Sequence, residues 1–239
     1  LPSYTVTSAF LQQIIDQQGM EEEGAVETIL VETVGVAHNV TPTEIKDAYE
    51  KNKALFSQAV FTAPHLAAII LAGDAANPDG SVQIYTENSA RLLARSLKIV
   101  AGKKTHLLVL NGPRTGKYDP QTHRPRAVSE PYDPVTQAFV EELEKQGFKK
   151  GQDFSIFPFK PGKPSPYKAV LALLKATHGD IVLPGESISM ISECVDVLPA
   201  QNVIIYEHEA MNEGHRLHAS LRETQGQAKI MRWKHGMMV

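Results

Sequence analysis

The segment PGESISMISE, residues 184–193, carries the residue types that a phosphate-binding strand exit needs. An apolar run leads into Gly185, and Ser187 stands where it would cap a helix beginning at Ile188. The amides of Ile188, Ser189 and Met190 would then lack helical partners, and the helix start would present positive partial charge to an anion such as a pyrophosphate. The Ser187 and Ser189 hydroxyls add donors, while Gly185 and Glu186 form the turn itself. Glu193 follows Ser189 by four residues on the same helical side, about 6 Å further along the axis, a reach suited to a ribose diol. Without a ligand, the same residues make a well-capped helix with an exposed Glu193.

Two other loops belong to the same chemistry, because ligands of doubly wound sheets bind at the carboxyl ends of the strands. After Leu71 come Gly73, which lets a ligand approach the backbone, and Asp74, which either accepts from a hydroxyl or serves as a turn aspartate. After Leu110 comes NGPRTGK, residues 111–117. This is not a Walker loop, which needs four residues between its glycines and then Lys-Ser/Thr; Gly112 and Gly116 enclose three, and Tyr118 follows Lys117. What remains is a cationic strand exit in which Arg114 can make forked contacts to a phosphate or carboxylate, with Thr115 beside it. Lys117, Arg124 and Arg126 read as surface charge.

Other chemistries lack their residues. His208, Glu209, His215 and His218 invite a metal, but no HEXXH pattern occurs, and they read as surface side chains. No Ser-centred nucleophile elbow is present, which leaves acyl transfer unsupported. The Tyr-x-x-x-Lys pair of a nucleotide-sugar epimerase is absent, since Tyr167 and Lys168 are adjacent. The lone cysteine, Cys194, excludes an intrachain disulfide and fits a reducing compartment, and its apolar neighbours mark it as a buried, inert thiol.

The elements that must position these loops alternate from Leu66 onward. Apolar strand runs at 66–73, 106–112, 153–159, 180–185 and 202–208 are separated by helical patterns at 87–100, 134–147, 165–179 and 187–197, and a final helix is expected near 212–224. Near-continuous apolar strands imply a sheet covered on both faces, and alternation with helices of about a dozen residues implies parallel strands with right-handed crossovers. The expectation is a Rossmann-like doubly wound α/β domain of about five parallel strands over residues 66–239. Asp133 followed by Pro134 marks a helix start. Residues 77–86 interrupt the rhythm as a hairpin or excursion, and residues 111–132, with four prolines, form a candidate functional loop. Residues 1–65 hold one early helix at 9–18, a strand over 27–36 and a helix introduced by Thr41, Pro42 and Thr43, which together make an incomplete unit.

Bulk properties agree with this organisation. A chain of 239 residues with 42% hydrophobic and 21% charged content can bury a sizeable core. The formal charge of −3 gives no basic field for nucleic acid or an anionic membrane. No apolar run approaches the roughly 20 residues that span a bilayer. The opening LPSYTVTSAF shows neither a signal peptide nor an initiator methionine, so an upstream segment is expected to be missing. The expected location is the cytoplasm or the periphery of a membrane.

Five segments taken in order are similar to the elongated-mitochondria, or mitochondrial-fission, family of proteins with a GT-B glycosyltransferase-like fold. They are VGVAHNVTPTEI (34–45), AAIILAGDAAN (67–77), LLVLNGPRTG (107–116), PSPYKAVLALLKATHGDIVLPGESISMISE (164–193) and GHRLHASLRE (214–223). The resemblance implies a C-terminal GT-B domain holding a nucleotide-diphosphate sugar as donor substrate, with Ser187 and Ser189 near the pyrophosphate and Glu193 near the ribose. Gly73 and Arg114 would face the same cleft. Asn111, Gly112 and Pro113 depart from the family's more serine- and arginine-rich strand exit. A GT-B enzyme also needs an N-terminal Rossmann domain, and only about 65 residues precede Leu66. The resemblance therefore implies a donor half, inactive or nearly so by itself, with no further cofactor. The alternative it offers is a non-catalytic scaffold that recruits protein partners in organelle or membrane remodelling.

Overall fold

A computed structural model of the chain describes Thr43, Glu50 and residues 56–76, 81–100, 104–127, 131–163, 165–234 and 237–238. The early helix and the strand expected over 27–36 lie outside the described residues; Thr43 and Glu50 are helical. A short helix α1 (Gln58–Thr62) leads into strand β1 (His65–Ile70). The strands β2 (Ala75–Ala76) and β3 (Val82–Gln83) follow, then α2 (Glu87–Val100), β4 (Thr105–Leu110), α3 (Pro134–Lys145), β5 (Phe154–Phe157) and α4 (Tyr167–Thr177). The chain continues through β6 (Asp180–Pro184), α5 (Ile188–Val197), β7 (Val203–Tyr206), α6 (Glu213–Thr224), β8 (Lys229–Met231), β9 (Trp233–Lys234) and β10 (Met237–Met238).

Six strands form one sheet in the order β5-β4-β1-β6-β7-β8, and every pairing in it is parallel. Counting only the strands of this sheet, that is the Rossmann order 3-2-1-4-5-6. The chain is thus a Rossmann-like, doubly wound α/β protein, as its strand and helix alternation predicts. The sixth strand is a difference: β8 has three residues, too few to display an alternating pattern.

The apolar strands divide their side chains between two cores. From β1, Leu66, Ala68 and Ile70 join Val170 and Leu174 of α4 and Ile191 and Cys194 of α5. The intervening Ala67 and Ile69 join Leu93 and Leu97 of α2 and Phe139 and Leu143 of α3. This period of two with both faces buried is why the strands read as continuous apolar runs. Each fully buried Leu or Phe contributes about 1.5–3 kcal/mol of transfer free energy.

Local chemistry sets the helix ends. Asp133 caps α3 by accepting from the Thr136 amide at 2.9 Å, with Pro134 in the first turn. Asn212 caps α6 through a reciprocal box with His215. Between β1 and α2, the antiparallel pair β2–β3 forms the excursion expected there, with residues 77–80 outside the described set. Among the described residues, no helix is long and apolar enough to cross a membrane.

Candidate functional site

The strands β1 and β6 are neighbours in the sheet, yet the chain leaves them toward opposite sides, β1 toward β4 and β6 toward β7. That reversal opens a crevice beyond their carboxyl ends, where ligands of such sheets bind. A cavity of about 360 Å³ occupies it, within the usual range for small-molecule sites. Its walls come from Leu71 and Gly73 after β1, residues 110–115 at and after β4, Phe159 after β5, Tyr167 of α4, and Glu186, Ser187 and Met190 after β6.

The three strand exits are tied to one another by hydrogen bonds. The Leu71 amide donates to the Leu110 carbonyl at 2.8 Å and the Asp74 amide to the Arg114 carbonyl at 3.0 Å. Gly73 donates its amide to Glu186 Oε1 at 2.8 Å. The approach requires glycine, since a Cβ at Gly73 would lie 2.8 Å from the Arg114 Cβ. Thr115 is buried and accepts from the Gly112 amide. Asn111 donates to Asp133 and Thr136 and accepts from the Phe159 amide, joining the loops after β4 and β5.

Asp74 is 1% exposed and occupied by the protein itself. One carboxylate oxygen accepts from the Tyr85 amide at 3.0 Å, the other from the Tyr118 amide at 2.8 Å. Burial raises its pKa, and these amides and Arg126 only partly offset that rise. Asp74 therefore acts as the turn aspartate of the two roles its position allows, pinning the residues before α2 and the loop after β4 around β1.

The start of α5 is different. Ser187 stands at the capping position, but its side chain makes no capping bond, and its φ of −97° and ψ of 76° lie outside the usual capping conformation. Its carbonyl accepts from the Ile191 amide at 2.9 Å, which begins the helix. Among the described residues, no protein acceptor meets the amides of Ile188, Ser189 or Met190. Arg114 lines the same cavity, and among the described residues its guanidinium has no hydrogen bond or ion pair. Gly185 leaves room for Met211, whose Sδ would stand 2.6 Å from a Cβ there.

Behind the turn lies a pair that the sequence reading placed elsewhere. His208, expected at the surface, is 1% exposed, and its Nε2 lies 2.6 Å from Glu186 Oε2. Its Nδ1 accepts from the Ala210 amide at 3.2 Å, which assigns the ring proton to Nε2 in this pattern. Tyr85 and Tyr206 flank the imidazole with ring centroids 5.1 and 5.6 Å away. Burial would raise the pKa of Glu186, but His208 and the Gly73 amide outweigh it and hold the carboxyl below its ordinary range. The burial of His208 has a physical cause. The exits of β6 and β7 are adjacent in the sheet, so a histidine two residues past β7 falls under the turn that follows β6.

Of the ten candidate contacts, Gly73, Arg114, Thr115, Glu186, Ser187 and Met190 line the cavity. Asp74, Gly185, Ser189 and Glu193 do not: Ser189 faces solvent, and Glu193 lies beside Tyr167. The hydroxyl of Tyr167 is pushed well above its ordinary range by burial, then by Cys194 and Glu193. Cys194 is buried, and its thiol is pushed up to about 12, chiefly by burial, in keeping with an inert sulfur. His215 and His218 are half-buried, and among the described residues no cluster of His, Cys, Asp or Glu could hold a metal ion. A second hollow of about 430 Å³ shares Asn111, Gly112, Pro113, Thr115 and Phe159 with the first and adds Lys117, Arg126, Tyr132 and Lys160. The proline-rich loop of residues 111–132 thus contributes walls to both hollows. Phe159 and Tyr167 went unread as site residues; the signal was that each follows closely on the end of a strand or opens the next helix.

The fold and the crevice define a Rossmann-like parallel α/β protein with a ligand-sized cavity at its topological switch point. No protein family matches the chain, and no characterised protein or solved structure is detectably similar to it.

Proposed function

We propose that the switch-point cavity binds a nucleoside-diphosphate sugar and that the protein is glycosyltransferase-like, of the GT-B kind, as its resemblance to the elongated-mitochondria family implies. The observation that carries the reading is the coincidence at one place of three α5 amides and an Arg114 guanidinium without partners among the described residues, and a cavity of about 360 Å³. A helix start with open amides carries positive partial charge, and a guanidinium adds forked donors, which together suit a diphosphate. In a transfer reaction the same groups would stabilise charge on the leaving diphosphate. The usual dinucleotide arrangement does not apply, because β2 and β3 intervene between β1 and α2, so no helix starts directly at the β1 exit. The second hollow supplies room for the rest of an elongated ligand.

Calorimetric titration with uridine, guanosine, cytidine and thymidine diphosphates tests this reading. The expected result is binding of at least one of them by the wild type, weakened roughly tenfold or more in Arg114→Ala, the loss of a charge-assisted hydrogen bond. Absence of binding by the wild type at millimolar ligand overturns it. The alternative of a scaffold recruiting protein partners finds less support. Among the described residues, the exposed large apolar side chains are Phe61 on α1 and Leu217 and Leu221 one turn apart on α6, single side chains of the kind ordinary surfaces carry.

A further inference from the structure

The loop between β5 and α4 walls the cavity without entering the nucleotide reading. Between Asp153 and Asp180 the chain has four lysines and no carboxylate. Within that stretch Ser165 is exposed, and it lines the cavity together with Arg114 and Ser187. Among the described residues its hydroxyl makes one hydrogen bond, accepting from the Tyr167 amide at 3.3 Å. The helix that follows is short of partners at its start. Pro166 at the capping position makes no side-chain bond, and no acidic residue occupies the first turn. The amides of Lys168 and Ala169 meet no acceptor among the described residues.

Ser165, Pro166, Tyr167 and Lys168 stand in an order that proline-directed protein kinases read: proline, which has no N–H to satisfy, directly after the hydroxyl, and a basic residue three positions after it. The other Ser/Thr-Pro pair of the chain, Thr41-Pro42, has Glu44 at that position. We propose that Ser165 is a phosphorylation site, and that a phosphate on it seats against the α4 start and opposes entry of a diphosphate into the cavity. The kinase transfers the γ-phosphoryl group of ATP to Ser165 Oγ: the γ-phosphorus parts from its bridging oxygen, ADP leaves, an Oγ–P bond forms and the hydroxyl proton passes to the base of the kinase. The product carries about 1.5 to 2 negative charges and strong acceptor oxygens, which beside a helix start gain bonds from open amides. Toward the cavity the same charge repels a second anion. The modification site stands apart from the nucleotide reading; its effect on binding rests on that reading.

The test treats the full chain, wild type and Ser165→Ala, with ATP and a cyclin-dependent kinase, and locates phosphate by mass spectrometry. The expected result is phosphate on Ser165 of the wild type, with the total incorporated falling in Ser165→Ala. No phosphate on Ser165 overturns the proposal and leaves the nucleotide reading standing. The second pKa of phosphoserine is ordinarily about 6, and by phosphorus-31 resonance the group on Ser165 is expected to titrate below that value. Titration at the ordinary value overturns the seat on α4. Calorimetry at fixed ionic strength is expected to show pyrophosphate and uridine diphosphate binding roughly tenfold or more weakly to the phosphorylated chain, with Ser165→Glu weakened in the same direction. Unchanged affinity overturns the opposition to diphosphates. No binding of either ligand by the unmodified wild type overturns the nucleotide reading and the opposition together, and the modification site is then decided by the mapping and the titration.

Discussion

At the exit of β1 the polar groups are engaged within the protein, whereas at the exit of β6 the donors stand open. The Gly73 amide meets Glu186, the Asp74 amide meets Arg114, and the Asp74 carboxylate meets two amides. Across the crevice, the amides of Ile188, Ser189 and Met190 and the Arg114 guanidinium have no protein partner among the described residues. Buried polar groups are almost always satisfied, so the saturated β1 exit is explained by folding alone, while Ile188 and Met190 are half-buried and Ser189 and Arg114 exposed, where water or a ligand reaches their donors. The two exits are adjacent, but one builds the site and the other presents it.

The largest expected effect comes from breaking the saturated side. Asp74→Ala leaves the buried Tyr85 amide and the half-buried Tyr118 amide without their acceptor, at a cost of about 1–3 kcal/mol for the first and about 1 kcal/mol for the second. Urea unfolding should show a loss of about 2–4 kcal/mol. A loss under 0.5 kcal/mol would mean that the β1 exit is not held by this residue.

An intermediate effect is expected from pH. Burial, then Arg222 and His215, lowers the pKa of His218 to about 4 from an ordinary 6.5. Between those values the unfolded chain takes up a proton that the folded ring refuses, so stability falls as pH drops from 6.5 toward 4. His218→Asn should lessen that slope, leaving the share of His215 and His106, also lowered chiefly by burial, and keep the acid limb below it, where Glu186, whose folded pKa is depressed, loses its contribution on protonation. An unchanged slope between pH 6.5 and 4 in the variant would place the titration elsewhere.

The smallest expected effect separates two serines on the open side. Ser187 lines the cavity and Ser189 is exposed away from it. Ser187→Ala should weaken nucleotide binding a fewfold, about the net worth of one neutral hydrogen bond, with Ser189→Ala close to wild type. The reverse ranking would shift the site outward along α5.

The legible part of this protein was the part governed by local pattern. Continuous apolar strands, helical runs and the Asp133-Pro134 start appear where their residues predict, and the crevice walls at Gly73, Arg114 and Ser187 follow from strand exits alone. What escaped depends on pairs distant in sequence. Glu186 and His208 lie 22 residues apart, and Asn111 joins segments up to 48 residues away. No period or motif encodes such contacts; they arise once the strand order sets β6 beside β7 and β4 beside β5. Lys229–Met231 escaped because three residues cannot show an alternation.

The chain's single cysteine also gives it a built-in clock. Cys194 sits in the α5 helix, buried with Val170 and Ile191, and its thiol donates or accepts at Tyr167 3.3 Å away. Because the sulfur is both enclosed and protonated, alkylating reagents are expected to reach it only through local opening around α4 and α5, and the labelling rate then counts those openings. A ligand that settles on the start of α5 and holds the helix in place is expected to slow that clock.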